Sequence, residues 1–219
     1  MTTASLFDAE PLRGTQSIGT QAVVLRAYAL EQIEELLHAL RSILKNAPFR
    51  PVITPGGHEM SVRLSACGEL GWVSDVSGYR YSAINPGNGL PWPTMPAVLQ
   101  QLAKDAAQAG GFPSFEPDAC LINRYVAGAR MGLHQDKNEN DFSAPIVSVS
   151  LGLPALFLFG GITRTERPAR IPLFHGDVVV WGGCDRLRFH GVAPVKAGHH
   201  PVMGPQRINL TFRKAGPVV

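Results

Sequence analysis

Residues 118–136 read DACLINRYVAGARMGLHQD, and this stretch decides how the rest of the chain is interpreted. Apolar and polar residues alternate in its first part, and Ala119–Val126 is therefore predicted to be a strand. After a glycine-containing segment comes the pair His134 and Asp136. Residues i and i+2 of an extended backbone point to the same face, so the pair can bind one ion together.

A third candidate ligand, His190, lies on the separate predicted strand Leu187–Val192. Two histidines and one carboxylate form the facial triad of non-haem Fe(II) oxygenases, which leaves metal positions open for a cosubstrate and O2. A His-x-Asp pair is a weak signal, and His190 alone is better explained as a hydrogen-bonded strand histidine. The last strand of the chain decides between the two interpretations.

The last predicted strand, Arg207–Arg213, has one apolar face and one polar face. Period-two alternation places four polar side chains together: Arg207, Asn209, Thr211 and Arg213. Two arginines that faced a barrel interior would be costly to bury without an anion. Arginine binds carboxylates through two parallel hydrogen bonds, so a dicarboxylate would satisfy them. Asn123 and Tyr125 add donors on their own strand, and the whole set predicts an Fe(II) site that uses 2-oxoglutarate and O2.

The bulk composition is that of one globular domain. The chain has 219 residues, of which 45% are hydrophobic and 17% charged, enough apolar material for a core. It has no apolar run of the ~20 residues that cross a bilayer, and its N-terminus lacks the basic start and apolar block of a signal peptide. Three cysteines without a CxxC pair indicate a reducing, cytoplasmic location.

Charge is distributed unevenly along the chain. The net charge is +3; residues 121–219 carry 12 Lys and Arg against 6 Asp and Glu, and residues 1–120 carry 8 against 11. The half with the candidate site is thus +6 and the other half −3. This asymmetry suits an anionic partner, nucleic acid included, although ordinary surface charge explains much of it.

The N-terminal half is predicted to hold a loose arm, two helices and a short strand. Residues 1–20 lack periodicity and are expected to form the arm. The apolar spacing predicts a helix over Glu31–Lys45 and a second over Thr94–Ala109, with Thr94 as N-cap and Pro96 near N1. Glu59–Ser65 alternates as a strand. Trp72, Tyr79, Tyr81 and Trp92 lie among glycines and form either a core edge or a stacking surface for a planar ligand.

The C-terminal half is predicted to consist of short strands separated by turns. We expect a mainly β fold with flanking helices (α+β), in which a jelly roll over 118–219 is supported by two N-terminal helices in a single structural domain. The predicted strands are Ala119–Val126, Ile146–Leu151, Ala155–Phe159, Arg170–Phe174, Asp177–Trp181, Leu187–Val192 and Arg207–Arg213.

Several ordered blocks make the chain similar to the AlkB family of nucleic-acid dealkylating dioxygenases, and in particular to its bacterial members. The blocks are PDACLINRYVAGARMGLHQDKNE, APIVSVSLGLPALFLFGG, HGDVVVWGG, RFHGV and RINLTFR, with TPGGHEMSV and GWVSDVSGYRYS on the substrate side. The similarity runs from about Phe49 to Ala215. It implies a double-stranded β-helix, the jelly roll expected above, and a nucleotide-recognition region within residues 21–117.

The resemblance also implies roles for single residues. The metal ligands, which are also the catalytic residues, would be His134, Asp136 and His190. Arg207, helped by Asn209 and Tyr125, would bind the distal carboxylate of 2-oxoglutarate, with Arg213 and Asn123 near its iron-proximal end. Trp72 would stack on the damaged base, which favours the stacking interpretation of the aromatic residues. Positions near the nucleic-acid strand would be Thr54, Tyr79, Lys137 and Arg164.

The activity implied by the resemblance is removal of the methyl group from N1-methyladenine or N3-methylcytosine, with release of formaldehyde, succinate and CO2. The partner would be alkylated DNA, preferentially single-stranded, with RNA as a further candidate, and the protein is expected to be a monomer. Three substrate-side positions depart from the bacterial pattern: Asn138 replaces an acidic residue, His58 a tyrosine and Leu64 a methionine. An amide both donates and accepts where a carboxylate mainly accepts, so the preferred base stays open.

Three alternatives remain at this point. A hydroxylase of a protein or small molecule would use the same barrel, but the aromatic and basic residues of the substrate side argue against it. In a non-catalytic jelly-roll binding module the histidines would be structural. A zinc hydrolase could use the same triad. The paired arginines of the last strand argue against both of these.

Overall fold

The computed structural model describes residues 13–216. Two antiparallel sheets and a separate hairpin make up its β structure. The helices are α1 (Ile33–Asn46) and α2 (Ala97–Ala109), with 3-10 turns at Leu30–Gln32 and Gly183–Asp185. The strands are β1 (Gly14–Ser17), β2 (Ala22–Arg26), β3 (Arg63–Gly68), β4 (Gly71–Asp75), β5 (Gly78–Ser82), β6 (Ala119–Tyr125), β7 (Met131–His134), β8 (Ile146–Gly152), β9 (Ala155–Phe159), β10 (Ala169–Leu173), β11 (Val178–Trp181), β12 (His190–Val192) and β13 (Arg207–Arg213).

The two large sheets pack face to face as a jelly roll. The larger has the order β1-β2-β11-β8-β13-β6-β3 and the smaller β10-β9-β12-β7. Side chains from both sheets share the core between them, for example Leu121 of β6 with Val192 of β12, and Val179 of β11 with Phe157 of β9. This arrangement confirms the predicted mainly β fold with flanking helices.

The helices cover the outer face of the larger sheet. Leu36 of α1 and Leu99 of α2 pack in one cluster with Ile208, Leu210 and Phe212 of β13. Because β13 pairs with β6 on one side and β8 on the other, all seven of its residues are buried. Its apolar side chains therefore face the helices, and its polar ones face the interior between the sheets.

The predicted helices are present with small changes at their starts. The first prediction, Glu31–Lys45, corresponds to a 3-10 turn followed by α1. The prediction that Thr94 caps the second helix was wrong: α2 begins at Ala97 after an extended Pro96, without a side-chain cap. The cause is Pro96 itself, since the residue before a proline is disfavoured in the helical region.

The predicted strands are found with shifted ends. Ala155–Phe159 and Arg207–Arg213 have the predicted bounds, whereas Leu187–Val192 was predicted three residues too long, since β12 begins at His190. The strand predicted over Glu59–Ser65 lies further along the chain, since β3 starts at Arg63. The segment before it folds back in a turn, in which the Thr54 N–H donates to the His58 carbonyl.

Five strands were missed: β1, β2, β4, β5 and β7. Of the expected arm over residues 1–20, residues 1–12 lie outside the described part of the chain. Within the described part the expectation of an arm was wrong, because Gly14–Ser17 pairs with β2 at the edge of the larger sheet. No helix of the described residues 13–216 is long and apolar enough to cross a membrane.

The environment of His175 leads us to expect that the free energy of unfolding depends on pH. Its Nδ1 accepts a hydrogen bond from the Gly152 N–H over 2.9 Å at the end of β8, and burial, with a smaller contribution from His200, lowers its pKa to about 4. The unfolded chain has a histidine pKa of about 6.5. As the pH falls from about 6.5 to 4, His175 is protonated in the unfolded state but stays neutral in the folded state, so the free energy of unfolding falls. Partial exposure limits this loss to roughly 1–2 kcal/mol.

The measurement is urea unfolding at several pH values of the wild type, His175→Gln and the control His38→Gln, whose histidine is exposed on α1. The wild type and His38→Gln should lose stability between pH 6.5 and 4 by this amount more than His175→Gln does. Parallel curves for all three proteins would contradict the role given to His175.

Candidate active site

Three residues predicted to bind a metal lie together at one end of the strand pair β7 and β12. His134 ends β7 and His190 begins β12, and the two are direct partners in the antiparallel register. Asp136 follows two residues after His134. One ligand atom from each of the three lies within 4.8 Å of the others; His134 Nε2 is 3.5 Å from Asp136 Oδ1, and His190 Nε2 is 3.7 Å from Asp136 Oδ2.

Hydrogen bonds fix the orientation of both imidazole rings. The Nδ1 of His134 lies 2.8 Å from the Gly132 carbonyl oxygen, and the Nδ1 of His190 lies 3.0 Å from the Arg188 carbonyl oxygen. A carbonyl can only accept, so each Nδ1 carries the proton and each Nε2 keeps a free lone pair. This arrangement is usual for metal-binding histidines, and the residues fit a divalent metal ion.

Asp136 is held as a carboxylate by Arg213. The Oδ2 atom accepts from Arg213 Nε over 2.8 Å and from Arg213 Nη2 over 2.5 Å. Burial by itself would raise the pKa of Asp136, but the charge of Arg213 outweighs it and holds the pKa well below its usual range. Burial likewise opposes the charge on Arg213, yet the adjacent Asp136 raises its pKa. The pair is therefore ionised, and Oδ1 is directed towards His134.

The same loop brings in a second buried carboxylate that the sequence did not single out. Glu139 accepts from the Tyr81 hydroxyl over 2.6 Å and from Arg186 Nη2 over 3.2 Å, and its Oε1 lies 3.4 Å from Arg213 Nε. Sequence patterns mark Tyr81 only as one of four aromatic residues among glycines, and they do not mark Arg186. Tyr81 and Arg186 are 58 and 47 residues away from Glu139 along the chain, so no local pattern could have indicated these contacts.

Arg207 is a buried cation whose hydrogen bonds are incomplete. It is 1% exposed, lies 5.0 Å from the centre of the Tyr125 ring, and donates from Nη2 to Ser150 Oγ over 2.9 Å. Its Nε and Nη1 have no hydrogen-bond partner in the described part of the chain. Burial lowers its pKa, and a bound anion would remove this cost. The guanidinium thus fits the far carboxylate of a dicarboxylate.

The two asparagines near Arg207 differ in what they can offer a ligand. Asn209 donates to Ser148 Oγ over 2.8 Å and to the Val149 carbonyl over 3.0 Å, and it accepts from the Thr211 hydroxyl over 2.8 Å. Its amide is already engaged, so it shapes the pocket without a free donor. Asn123 is buried, and its Oδ1 lacks a partner among residues 13–216. Both line a small pocket that also contains Tyr125, Arg207, Arg213 and both histidines.

A larger cavity of about 400 Å³ also reaches His134. Most residues predicted to contact the substrate line it: Thr54, Leu64, Trp72, Tyr79, Asn138 and Arg164. His58 and Lys137, also predicted there, are exposed and lie outside the lining. Asn123, His134 and Arg213 line both this cavity and the smaller pocket, whereas Asp136 lines only the cavity and His190 only the pocket. The two spaces therefore meet at His134, and each of them reaches two of the three candidate metal ligands.

An aromatic pair forms one wall of the larger cavity. The Trp72 and Tyr79 rings are stacked, with centroids 5.3 Å apart and an interplanar angle of 16°. The Trp72 indole N–H donates to Asn138 Oδ1 over 3.3 Å, which fixes both the indole and the orientation of the amide. Flat aromatic surfaces of this kind stack on nucleobases.

Comparison with known proteins places these features in a family. The family model described as the 2OG-Fe(II) oxygenase superfamily matches residues 21–213. The chain is 52% identical to the "Alpha-ketoglutarate-dependent dioxygenase AlkB" of Escherichia coli strain K12 over 209 residues, which are 95% of this chain and 96% of that protein. It is 34% identical to the human "Nucleic acid dioxygenase ALKBH1" over 128 residues, which are 58% of this chain and 32% of that one.

A solved structure shares the architecture. "The structure of OsALKBH1" superimposes with a TM-score of 0.78 at 29% sequence identity, covering 92% of this chain and all of the other.

Replacing Arg207 should weaken cosubstrate binding without lowering the stability of the protein. In Arg207→Met the free energy of unfolding should stay the same or increase, because an incompletely paired buried cation is exchanged for an apolar side chain. Affinity for 2-oxoglutarate should fall roughly 100-fold, as two charge-assisted hydrogen bonds are lost. Thermal unfolding and anaerobic titration with 2-oxoglutarate in the presence of Mn(II) measure the two effects.

The matched control is Arg170→Met, in which the arginine is exposed on β10. It should leave both quantities unchanged. Tight 2-oxoglutarate binding by Arg207→Met would rule out the assignment of the distal carboxylate to Arg207.

Proposed function

The chain belongs to the AlkB family of Fe(II)- and 2-oxoglutarate-dependent dioxygenases, and we propose that it demethylates N1-methyladenine and N3-methylcytosine in DNA, with RNA as a second substrate, as part of the repair of alkylation damage. Membership of the family confirms the predicted resemblance, enzyme class and cofactors. The observation that carries the proposal for this chain is the incompletely paired Arg207 in a pocket that reaches the His134, Asp136 and His190 cluster.

In the proposed site His134, Asp136 and His190 hold Fe(II). When bound, Fe(II) with 2-oxoglutarate and O2 supplies the oxidising power that hydroxylates the methyl carbon of the base. Arg207 binds the distal carboxylate of 2-oxoglutarate, and the Tyr125 ring beneath the guanidinium limits its movement. Arg213 neutralises Asp136 Oδ2 and leaves Oδ1 for the metal.

The cosubstrate pocket also needs donors near the metal. The Asn123 amide lies in the pocket shared by His134 and Arg213, and we assign it to the iron-proximal end of 2-oxoglutarate, where its N–H2 group can donate. Asn209 supports Arg207 indirectly by tying β13 to β8 through Ser148. Trp181, Phe157 and the other apolar side chains around His190 exclude water from this side of the site.

The substrate base enters the larger cavity. A methyl group on N1 of adenine or N3 of cytosine blocks Watson–Crick pairing, so the base leaves the stack at a lower energetic cost. Trp72 stacks on the base opposite His134, and Asn138, fixed by the indole N–H, faces its edge. Thr54, Tyr79 and Arg164 line the entrance, and Lys137 and His58 on the adjacent surface contact the strand. The hydroxymethyl group formed on the nitrogen then leaves as formaldehyde.

Further features of the proposal concern the form of the protein and of its substrate. We propose a preference for single strands, because a base in a single strand needs no unpairing before it enters the cavity. We propose a cytoplasmic monomer, in keeping with three cysteines that are all unpaired. Residues 118–219 form the catalytic core in this proposal, and residues 21–117 supply the nucleotide-recognition region packed on it.

The proposed reaction predicts coupled products. Protein loaded anaerobically with Fe(II) and 2-oxoglutarate, then exposed to air with a short strand that carries one N1-methyladenine or N3-methylcytosine, should remove one methyl group per succinate formed. Asp136→Ala and His134→Ala should abolish turnover and keep the fold, because each removes a proposed metal ligand. Product mass, succinate, formaldehyde and circular dichroism are measured together.

The possible results separate the parts of the proposal. Succinate without demethylation would retain the oxygenase and exclude these bases as substrates. Activity in either alanine variant would refute the metal assignment. The ratio of the demethylation rates on the two oligonucleotides gives the base preference of a site that contains Asn138.

Stacking by Trp72 predicts a change in KM rather than in kcat. Trp72→Ala should raise KM for the oligonucleotide roughly 10- to 100-fold, since base stacking contributes about 1–3 kcal/mol. Trp72→Phe keeps an aromatic ring and should raise KM much less. Succinate formation at saturating oligonucleotide should change little. Steady-state kinetics on the single strand measure both constants, and an unchanged KM in Trp72→Ala would show that the base binds elsewhere.

A further inference from the structure

We infer that Glu139 is a positioning residue for the metal centre, which fixes Arg213 against Asp136 and sets the charge that the site presents to a metal ion. The inference rests on the proposed iron site. Glu139 does not reach the three candidate ligands itself; its contacts are with Tyr81, Arg186 and Arg213.

The burial of Glu139 requires an explanation. Its side chain is 2% exposed, although it lies only three residues from Asp136 on a loop that borders the open cavity. A buried carboxylate is strongly unfavourable unless charges and hydrogen bonds compensate it. Both of its oxygens have such partners: Tyr81 and Arg213 at Oε1, and Arg186 at Oε2.

Arg186 connects Glu139 to the backbone of Asp136. Its Nη1 donates to the Asp136 carbonyl over 2.8 Å, its Nη2 to Glu139 Oε2 over 3.2 Å, and its Nε to the Ala144 carbonyl over 3.0 Å. The guanidinium is planar and rigid, so these three bonds fix the backbone of Asp136 relative to Glu139. Asp136 lies beyond the end of β7 and has no strand pairing of its own, which makes this clamp necessary.

Tyr81 connects the same network to the substrate side. It lies on β5 directly opposite Trp72 of β4 in the register of the hairpin, and its hydroxyl donates to Glu139 over 2.6 Å. The hairpin that carries the stacking indole is thereby attached to the loop that carries the metal ligand.

The charges of the network predict which binding event depends on Glu139. Asp136 and Glu139 are opposed by Arg186 and Arg213, so the buried quartet has no net charge. Removing the charge of Glu139 leaves one excess positive charge beside the site of a dication. Metal binding should weaken, whereas binding of the dianionic 2-oxoglutarate should not. A purely structural role would weaken both together with stability.

The test compares Glu139→Gln with the wild type and with Glu116→Gln, whose carboxylate is exposed and pairs with Lys104. Mn(II) is titrated into the metal-free proteins without cosubstrate, by calorimetry and by the loss of the free Mn(II) paramagnetic resonance signal. We expect Glu139→Gln to bind Mn(II) about tenfold more weakly, the range found when partners of metal ligands are changed. Its affinity for 2-oxoglutarate at saturating Mn(II) should be retained, and Glu116→Gln should match the wild type.

Tyr81→Phe keeps the carboxylate and removes only the connection to the hairpin, so it remains informative even where Glu139→Gln does not fold. It should bind Mn(II) within about twofold of the wild type and raise KM for the oligonucleotide. A tenfold loss of Mn(II) affinity in Tyr81→Phe would overturn the charge argument.

Unchanged Mn(II) binding in a folded Glu139→Gln would overturn the inference, as would equal losses for Mn(II) and 2-oxoglutarate with a matching fall in melting temperature. A wild-type protein that binds no Mn(II) would instead refute the proposed metal site. The two failures are therefore distinguishable.

Discussion

A row of polar side chains on β13 is buried between two apolar sheets, and this burial is the constraint on which the site depends. Arg207 and Arg213 occupy the two ends of the row and are 1% and 6% exposed. Arg213 is neutralised within the protein by Asp136 and Glu139. Among the described residues, Arg207 contacts one hydroxyl acceptor and one aromatic ring. The fold therefore tolerates an incompletely paired cation where the proposed cosubstrate would supply the anion.

Strand register accounts for the rest of the candidate metal site. Direct pairing of His190 with His134 places two imidazoles side by side, with ring centroids 4.5 Å apart. The antiparallel register thus determines the distance between two ligands before any metal is bound. The third ligand follows the strand end, where the backbone is free to turn, and it is the arginines that hold it. Regular structure positions the histidines, and buried charge positions the carboxylate.

Sequence patterns were sufficient where the determinants are local. The alternation in Arg207–Arg213 gave the strand, its buried polar face and the need for an anion, and the His-x-Asp pair gave two ligands. The patterns failed where pairing is between distant segments. Gly14–Ser17 becomes a strand because β2 lies beside it, and Glu139 is distinctive only because Tyr81 and Arg186 converge on it. Glycine-rich, aromatic segments such as β4 and β5 also lack a clear period of two, so their hairpin was missed.

The position of that hairpin has a consequence for substrate binding. β4 and β5 form a two-stranded sheet of their own, and an isolated hairpin is marginally stable in water. Side chains must therefore anchor it: Val73 packs against Ala66 and Trp92, the Trp92 indole donates to the Ser82 carbonyl, and Tyr81 donates to Glu139. These contacts hold the base of the hairpin, whereas Val76 at its tip is 84% exposed. The wall of the proposed substrate cavity is thus anchored near the metal centre and exposed to solvent at the tip of the hairpin, which suits a site that must accept a base still attached to its strand.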